Sequence, residues 1–333
     1  MPCTVIAGGF WGDEGKGKII SYLALKEPLD FCVRTGSVNA VHTIWYKGKR
    51  YALHMVAGGF VHEKCRLLIG AGANVDVKQF LEEVEATNVK KRIGVDNQAS
   101  IIEEKHSTQD KSNAHLKQVV GTTGRGVGPA IEERVRRTAK LARDVPELKT
   151  YLTDVSAEVN DAIDEDKKVL LEGTQGLMLS LFHGTYPYVT GRDTSAAAIC
   201  SEAGVGPTKI SDVLVVLKTF ITRVGAGPLP GEISKEEAQK RGWFETAAGT
   251  GRDRRSAPFS FELAKKAVAI NGATQIALTK LDCVFPACQG AKTYSMLSSE
   301  AKAFVNDVEK RTGVPVALIG TGPEALDIID RRK

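Results

Sequence analysis

Near its start the chain reads Gly12-Asp-Glu-Gly-Lys-Gly-Lys18, a glycine-rich run with the GxxxxGK spacing of a phosphate loop. Backbone N–H groups in such a turn, followed by a helix start, form a cradle for anions. Ile19 stands where phosphate loops carry Ser or Thr. The hydroxyl that would hold Mg²⁺ is therefore absent, and Asp13 is the carboxylate placed to replace it. Far along the chain, Thr279-Lys280-Leu281-Asp282 follows an apolar strand-like run. A carboxylate at the end of this [NT]KxD pattern can accept from the N1–H and exocyclic amine of guanine together, a donor pair that adenine lacks. Either motif alone also occurs as an ordinary turn or a charged helix start. Together in one chain they point to nucleotide chemistry with GTP.

Parallel strands must carry these motifs, because phosphates and catalytic groups gather at their carboxyl ends. Short β-branched or aliphatic runs predict strands at Thr4–Ala7, Phe31–Arg34, Val169–Leu171, Val213–Lys218, Gln275–Leu278 and Val316–Ile319. Most are followed at once by Gly, Thr or a charged residue. Helices are predicted from the glycine turn to about Leu25, and at Asp76–Thr87, Pro146–Ile163, Phe261–Ile270, Ser298–Thr312 and Glu324–Arg331. This alternation specifies an α/β fold, with a mostly parallel central sheet, flanking helices and a P-loop-like phosphate loop. No Pro/Ser/Gly-rich linker interrupts the chain, so a single domain over 1–333 with loop excursions is the simplest reading.

Composition narrows the function classes. Hydrophobic residues at 42% and charged residues at 26% describe an ordinary globular protein. No apolar run reaches the length of a membrane span, and no basic region precedes a long apolar stretch at the N-terminus. The six cysteines form no CxxC pair, which argues against a zinc site or disulfide framework and for a reducing, cytoplasmic location. A formal charge of +5 without a long basic run is too mild to imply nucleic acid. The basic clusters Arg134–Arg137 and Arg252–Arg255 instead flank glycine-rich stretches and suit small anions.

The full opening Trp11–Lys18 resembles the signature of the adenylosuccinate synthetase family, and the resemblance continues in order along the chain. It covers Arg34–Thr43, Gly121–Pro129, Glu172–Gly176, Gly184–Thr190, Thr222–Pro228, Thr250–Arg254, Thr279–Asp282 and Gly320–Pro323. The spans Ala139–Lys168 and Val284–Leu318 are short for that family, which makes this a compact version. The resemblance implies a Mg²⁺-dependent ligase of AMP biosynthesis. GTP would phosphorylate the 6-oxo group of inosine monophosphate (IMP), and L-aspartate would then displace the phosphate to give adenylosuccinate.

It also implies residue roles. Asp13 would be the base that takes the N1 proton of IMP, and His42 the acid or donor facing the phosphates. GTP would meet Gly12, Asp13, Glu14, Gly15, Lys16, Gly17 and Lys18, then Val41, His42 and Thr43. Arg254, Lys280, Leu281, Asp282, Gly320, Thr321 and Gly322 would border its nucleoside. IMP would contact Asp13, Glu14, Gly15 and Lys16, then Asn39, Ala40, Val41 and His42. Thr123, Gln175, Thr190 and Arg252 would complete its site, with Arg137 reaching across a homodimer from the partner subunit. Aspartate would lie on Ala248, Gly249, Thr250, Gly251, Arg252, Asp253 and Arg254. Asp13 and the backbone carbonyl of Val41 would hold the metal.

Two positions depart from the family pattern: Val41 replaces a glycine, and Gly249 replaces a threonine. Valine excludes backbone conformations that glycine permits, so Val41 restricts φ beside the proposed catalytic histidine. A regulatory GTP-binding switch would also explain the phosphate loop and Thr279–Asp282. It leaves the many additional glycine–threonine loops without a purpose. An RNA-binding protein would need an aromatic platform, which the sequence does not offer.

Overall fold

A computed structural model describes residues 3–332. Its centre is a ten-stranded sheet. The spatial order begins Ile328–Asp330, Val316–Gly320, Gln275–Thr279, Asp212–Lys218 and Cys3–Gly8. It continues through Val169–Glu172, Phe31–Arg34, Arg66–Ile69, Ile93–Asp96 and Leu152–Thr153. Neighbours pair in parallel except at Ile328–Asp330, an edge strand that runs antiparallel to Val316–Gly320.

A parallel sheet is covered on both faces, so its strands are aliphatic at successive positions rather than alternately polar. Side chains still alternate between two cores. Ile6, Leu170, Leu214, Val216 and Leu318 pack on one face with Ile19, Ile20 and Leu23 of the helix Lys16–Lys26. Val5, Ala7, Leu171, Val215 and Leu217 pack on the other, with the helices Phe261–Asn271 and Ser299–Thr312. The carboxyl ends of five adjacent strands thereby open into Gly8-Gly9, Glu172–Gln175, Lys218-Thr219, Thr279–Asp282 and Gly320–Gly322, all on one edge.

The six predicted strands are present, with ends shifted by a residue or so. Two predicted helices are not. Pro146–Ile163 divides into a 3₁₀ turn at Pro146–Tyr151, the edge strand Leu152–Thr153 and the helix Val155–Asp164. Asp154 makes the break, its carboxylate accepting from Ala157 N–H at 2.9 Å as a helix N-cap. Glu324–Arg331 is not helical; Ile328–Asp330 pairs with the sheet edge instead. Tertiary pairing of two β-branched isoleucines overrides the local helical pattern there.

Helices Glu104–Ser112 and Val127–Arg136 lie against each other beside the cavity and share the charged cluster Glu103, His106 and Glu133. Its three side chains have the spacing of a metal site, but their chemistry is that of a clamp. His106 Nδ1 accepts from the Glu103 N–H at 3.0 Å, which places the ring proton on Nε2, 2.9 Å from Glu133. His106 then offers no lone pair to a metal, and the Lys105 ammonium already lies 3.0 Å from both carboxylates. Asp110, one turn on, accepts from the Gly126 N–H at 2.8 Å and fixes the start of the second helix.

Candidate active site

The phosphate loop folds around the carboxylate of Glu14. That buried group accepts from the N–H of Phe10 at 2.9 Å and of Gly12 at 2.8 Å, and pairs with Lys16 at 3.2 Å. Lys16 also donates to the Gln175 carbonyl, joining the loop to the end of the neighbouring strand. Gly15, with φ of 85°, is the helix N-cap, and this left-handed conformation favours glycine. The first N–H groups of the helix Lys16–Lys26 have no intrahelical acceptor and are available to phosphate. Thr279 donates its hydroxyl to the Glu14 carbonyl at 2.6 Å, so the Thr279–Asp282 segment braces the glycine-rich loop directly.

A cavity of about 390 Å³ opens beside this loop. Asp13, Asn39, Ala40, Val41, His42, Thr123, Gln175, Thr190, Ala248, Gly249, Thr250, Arg252 and Arg254 all line it. Several buried polar atoms of these residues have no hydrogen-bond partner among the described residues: Asp13 Oδ2, Asn39 Oδ1, His42 Nε2, Gln175 Oε1 and Arg252 Nε. Buried polar atoms are rarely left unpaired, and such a concentration in one cavity marks a binding site.

Behind His42 lies a charged group that the sequence reading did not identify. Its Nδ1 is 2.5 Å from Glu172 Oε1 and 2.9 Å from the guanidinium of Arg34, which itself pairs with Glu172. Glu172 also accepts from the Gly58 N–H at 2.6 Å. Burial would raise the Glu172 pKa, but Arg34, His42 and that N–H outweigh it and bring it to about 2. An ionised Glu172 holds the imidazole proton on Nδ1 and turns Nε2 toward the cavity. Burial first, then Arg34, lowers the His42 pKa to about 4 against the pull of Glu172. His42 is therefore neutral near pH 7 until a negative charge arrives at Nε2.

Asp13 has the opposite bias. Burial at the cavity wall raises its pKa, opposed by Arg254 and Lys218. Arg254 holds Asp13 Oδ1 at 2.8 Å and Glu245 Oε2 at 2.7 Å. Glu245 is a second residue missed in the sequence. It also pairs with buried Lys218 at 2.7 Å and with Lys280 at 3.3 Å. Burial would raise the Glu245 pKa, but Lys218, Lys280 and Arg254 hold it far below the usual carboxylate range. A Trp-Phe-Glu leading into the two-residue strand Glu245–Thr246 has no sequence signal for this; only the three cations brought by separate segments reveal it.

The remaining predicted residues fall into three places. Gln175 and Thr190 bond to each other, Nε2 to Oγ1 at 2.9 Å, and Arg252 donates to the Gly121 carbonyl at 3.1 Å, tying two loops together. Thr43 follows His42 in the hairpin strand, and Gly17 abuts both, where a Cβ would come 3.0 Å from His42 Cβ. Lys280, Leu281, Asp282, Gly320, Thr321 and Gly322 lie outside the cavity lining, on the far side of the phosphate loop. Lys18 ties them to the loop by donating to the carbonyls of Gly322 and Asp327, and its burial lowers its pKa to about 8. Leu281 and Thr321 are fully buried and present only backbone to a ligand, whereas Asp282 Oδ1 is buried and unpartnered. Arg137, at the exposed end of the helix Val127–Arg136, does not line its own chain's cavity. Asp253 is also exposed and pairs with Lys235 at 2.7 Å.

Comparison with known proteins gives one family. The family model for adenylosuccinate synthetase matches residues 5–147 and 138–288. The adenylosuccinate synthetase of Methanocaldococcus jannaschii is 52% identical over 336 residues, covering 100% of this chain and 97% of the relative. That of Pyrococcus sp. (strain ST700) is 49% identical, covering 100% and 99%. The compact length is thus shared with these relatives. Fully ligated adenylosuccinate synthetase from Plasmodium falciparum superposes with a TM-score of 0.89 at 25% identity, covering 99% of each chain. A cyanophage S-2L succinoaminodeoxyadenylate synthetase, bound to dGMP and dATP, shares the fold with a TM-score of 0.84 at 24% identity, covering 100% and 96%.

Proposed function

The chain belongs to the adenylosuccinate synthetase family, and from that premise we propose how its residues perform the ligation. It is a GTP-dependent ligase that makes adenylosuccinate in AMP biosynthesis. The observation supporting a site assignment is the convergence of unpartnered Asp13, His42, Asn39, Gln175 and Arg252 atoms on one cavity.

In this reading IMP lies with N1–H at the Asp13 carboxylate. The raised pKa of Asp13 suits a general base. Loss of the N1 proton leaves the 6-oxygen nucleophilic. It attacks the γ-phosphorus, the bond to the β–γ bridging oxygen breaks, and GDP departs. The helix N-terminus and Lys16 hold the phosphates in line and meet the moving charge. Phosphate charge arriving at Nε2 makes His42 cationic, with Glu172 and the Nδ1 proton fixing its orientation. The amine of aspartate then attacks C6, the C6–O bond breaks, and the original 6-oxygen leaves in phosphate, which carries off the amine proton. Loop 248–254 orients the aspartate through backbone N–H groups, Thr250 and the Arg252 fork. Lys280, Asp282 and Gly320–Gly322 border guanosine.

Mg²⁺ use is general in the family, and Asp13 Oδ2, a buried carboxylate oxygen without a partner, fits such an ion. With the Val41 carbonyl it would hold the ion, whose chemistry is to neutralise phosphate charge. The ten-stranded sheet and the segments at its carboxyl edge carry the motifs together, so we take residues 1–333 as one working unit. All six cysteines are free, as suits the cytoplasm. No helix among the described residues is long and apolar enough to cross a membrane. The enzyme works as a homodimer, with Arg137 completing the partner's IMP site.

Asp13→Asn tests the assignment. The amide is nearly isosteric but takes no proton, so GTP and IMP binding should stay within about tenfold while turnover disappears. Substantial residual turnover would remove Asp13 as the base.

A further inference from the structure

Val41 and Gly249 meet in space across the cavity wall. A Cβ placed on Gly249 would lie 2.7 Å from Val41 Cγ2. The next atom it would meet is His54 Cε1 at 3.5 Å, an ordinary contact. Val41 is therefore the one tight contact that a Cβ at 249 would make. The backbone does not demand glycine there: neither Gly249 nor Val41 has a positive φ, whereas Gly251, two residues on, has φ of 67°. Valine is also a poor neighbour to push aside, because its branched Cβ leaves χ1 stiff.

The contact joins two working parts. Val41 immediately precedes His42, whose strand packs on the phosphate loop. Gly249 lies within a tight turn in which Ala247 N–H donates to the Arg252 carbonyl at 2.8 Å and Gly251 N–H to the Ala247 carbonyl at 2.8 Å. A push at 249 therefore moves the turn as a body, along with Arg252 and its tie to Gly121.

We propose that Val41 is a positioning residue for the 247–252 turn, and that position 249 is glycine in this chain because Val41 fills the space its side chain would need. The two positions share one gap, with a side chain at 41 and none at 249. This rests on the reading that the turn binds aspartate, so the aspartate constants must report it.

The test is a double-mutant cycle on the full-length enzyme with Gly249→Ala, Val41→Gly and the pair, measuring kcat and KM for each substrate. Gly249→Ala should raise the aspartate KM by roughly tenfold, with the GTP and IMP KM values within about twofold. Contacting residues couple. Adding Val41→Gly should therefore bring the aspartate KM back to within about threefold of wild type, although each change alone impairs the enzyme. Unfolding of Gly249→Ala would be read through the same rescue, as recovery of the folded, active enzyme in the pair. Independent effects, with the pair at least as impaired as Gly249→Ala, would overturn the proposal. Rescue seen in the IMP or GTP KM but not in that of aspartate would overturn the assignment of the turn to aspartate, not the contact itself.

Discussion

Glu245→Gln removes one negative charge from beneath three cations and should harm both stability and turnover. In the native protein Lys218, 2% exposed, has Glu245 and the Thr222 hydroxyl as its polar partners, at 2.7 and 2.9 Å. Leaving a buried ion without its counter-charge costs about 3–5 kcal/mol. The glutamine oxygen still accepts from one cation, which puts the expectation near the lower end, about 3 kcal/mol. Unfolding entropy of about 2.1 cal/mol/K per residue gives about 0.7 kcal/mol/K for this chain. Tm should therefore fall by about 4 °C in calorimetry at pH 7. The sign with pH is also fixed. The pKa of Glu245 lies below its ordinary 4.5, so its stabilisation is complete above that value and is lost as pH falls further. The Tm gap between wild type and variant should then narrow in acid. Arg254, released from Glu245, would shift against Asp13, and misplacement on an ångström scale can lower kcat by up to about 10²-fold. A Tm within about 1 °C of wild type, with unchanged kinetics, would refute the hub reasoning.

His42→Asn should lose roughly 10²–10⁴ in kcat. Because the His42 pKa is lowered to about 4 from 6.5, wild-type stability should fall as pH drops between those values, where only the unfolded chain takes the proton. The variant should be flatter in that window, and GTP binding near pH 7 should take up a proton in wild type alone, by calorimetry in buffers of different ionisation enthalpy. For Asp282→Asn the fold should persist while GTP use falls and relative use of xanthosine triphosphate rises, since its 2-oxo group needs a donor. An intact GTP preference in kcat/KM would make the guanine reading of Thr279–Asp282 wrong. Arg137→Leu and Asp13→Ala should each be nearly inactive, yet after subunit exchange at equal mixing regain up to about a quarter of wild-type activity. No recovery despite proven exchange would place Arg137 outside the partner's site.

Much of the candidate site was legible because its residues sit beside strand ends, where motif and element coincide. Gly12–Lys18 and Thr279–Asp282 each follow an aliphatic strand, and the structure joins them through Thr279 and Glu14. What stayed hidden was non-local. Arg34 and Glu172 are 138 residues apart, and their pairing behind His42 depends on the adjacency of two parallel strands. The helical pattern over Pro146–Ile163 masked a readable signal, the Asp154 cap. No local signal could have set Ile328–Asp330 as a strand, because its partner strand decides it. The constraint on φ expected at Val41 does not bind, since φ there is not positive; the consequence of that substitution lies in its packing against Gly249.

The account centres on phosphorylation of the 6-oxygen of IMP before aspartate attacks. IMP carrying ¹⁸O at that position, turned over with GTP, Mg²⁺ and aspartate, tests this directly by mass analysis of the products. The account predicts that the released phosphate carries the ¹⁸O and that the label is absent from adenylosuccinate and GDP. Unlabelled phosphate, with the ¹⁸O released to water, would contradict it.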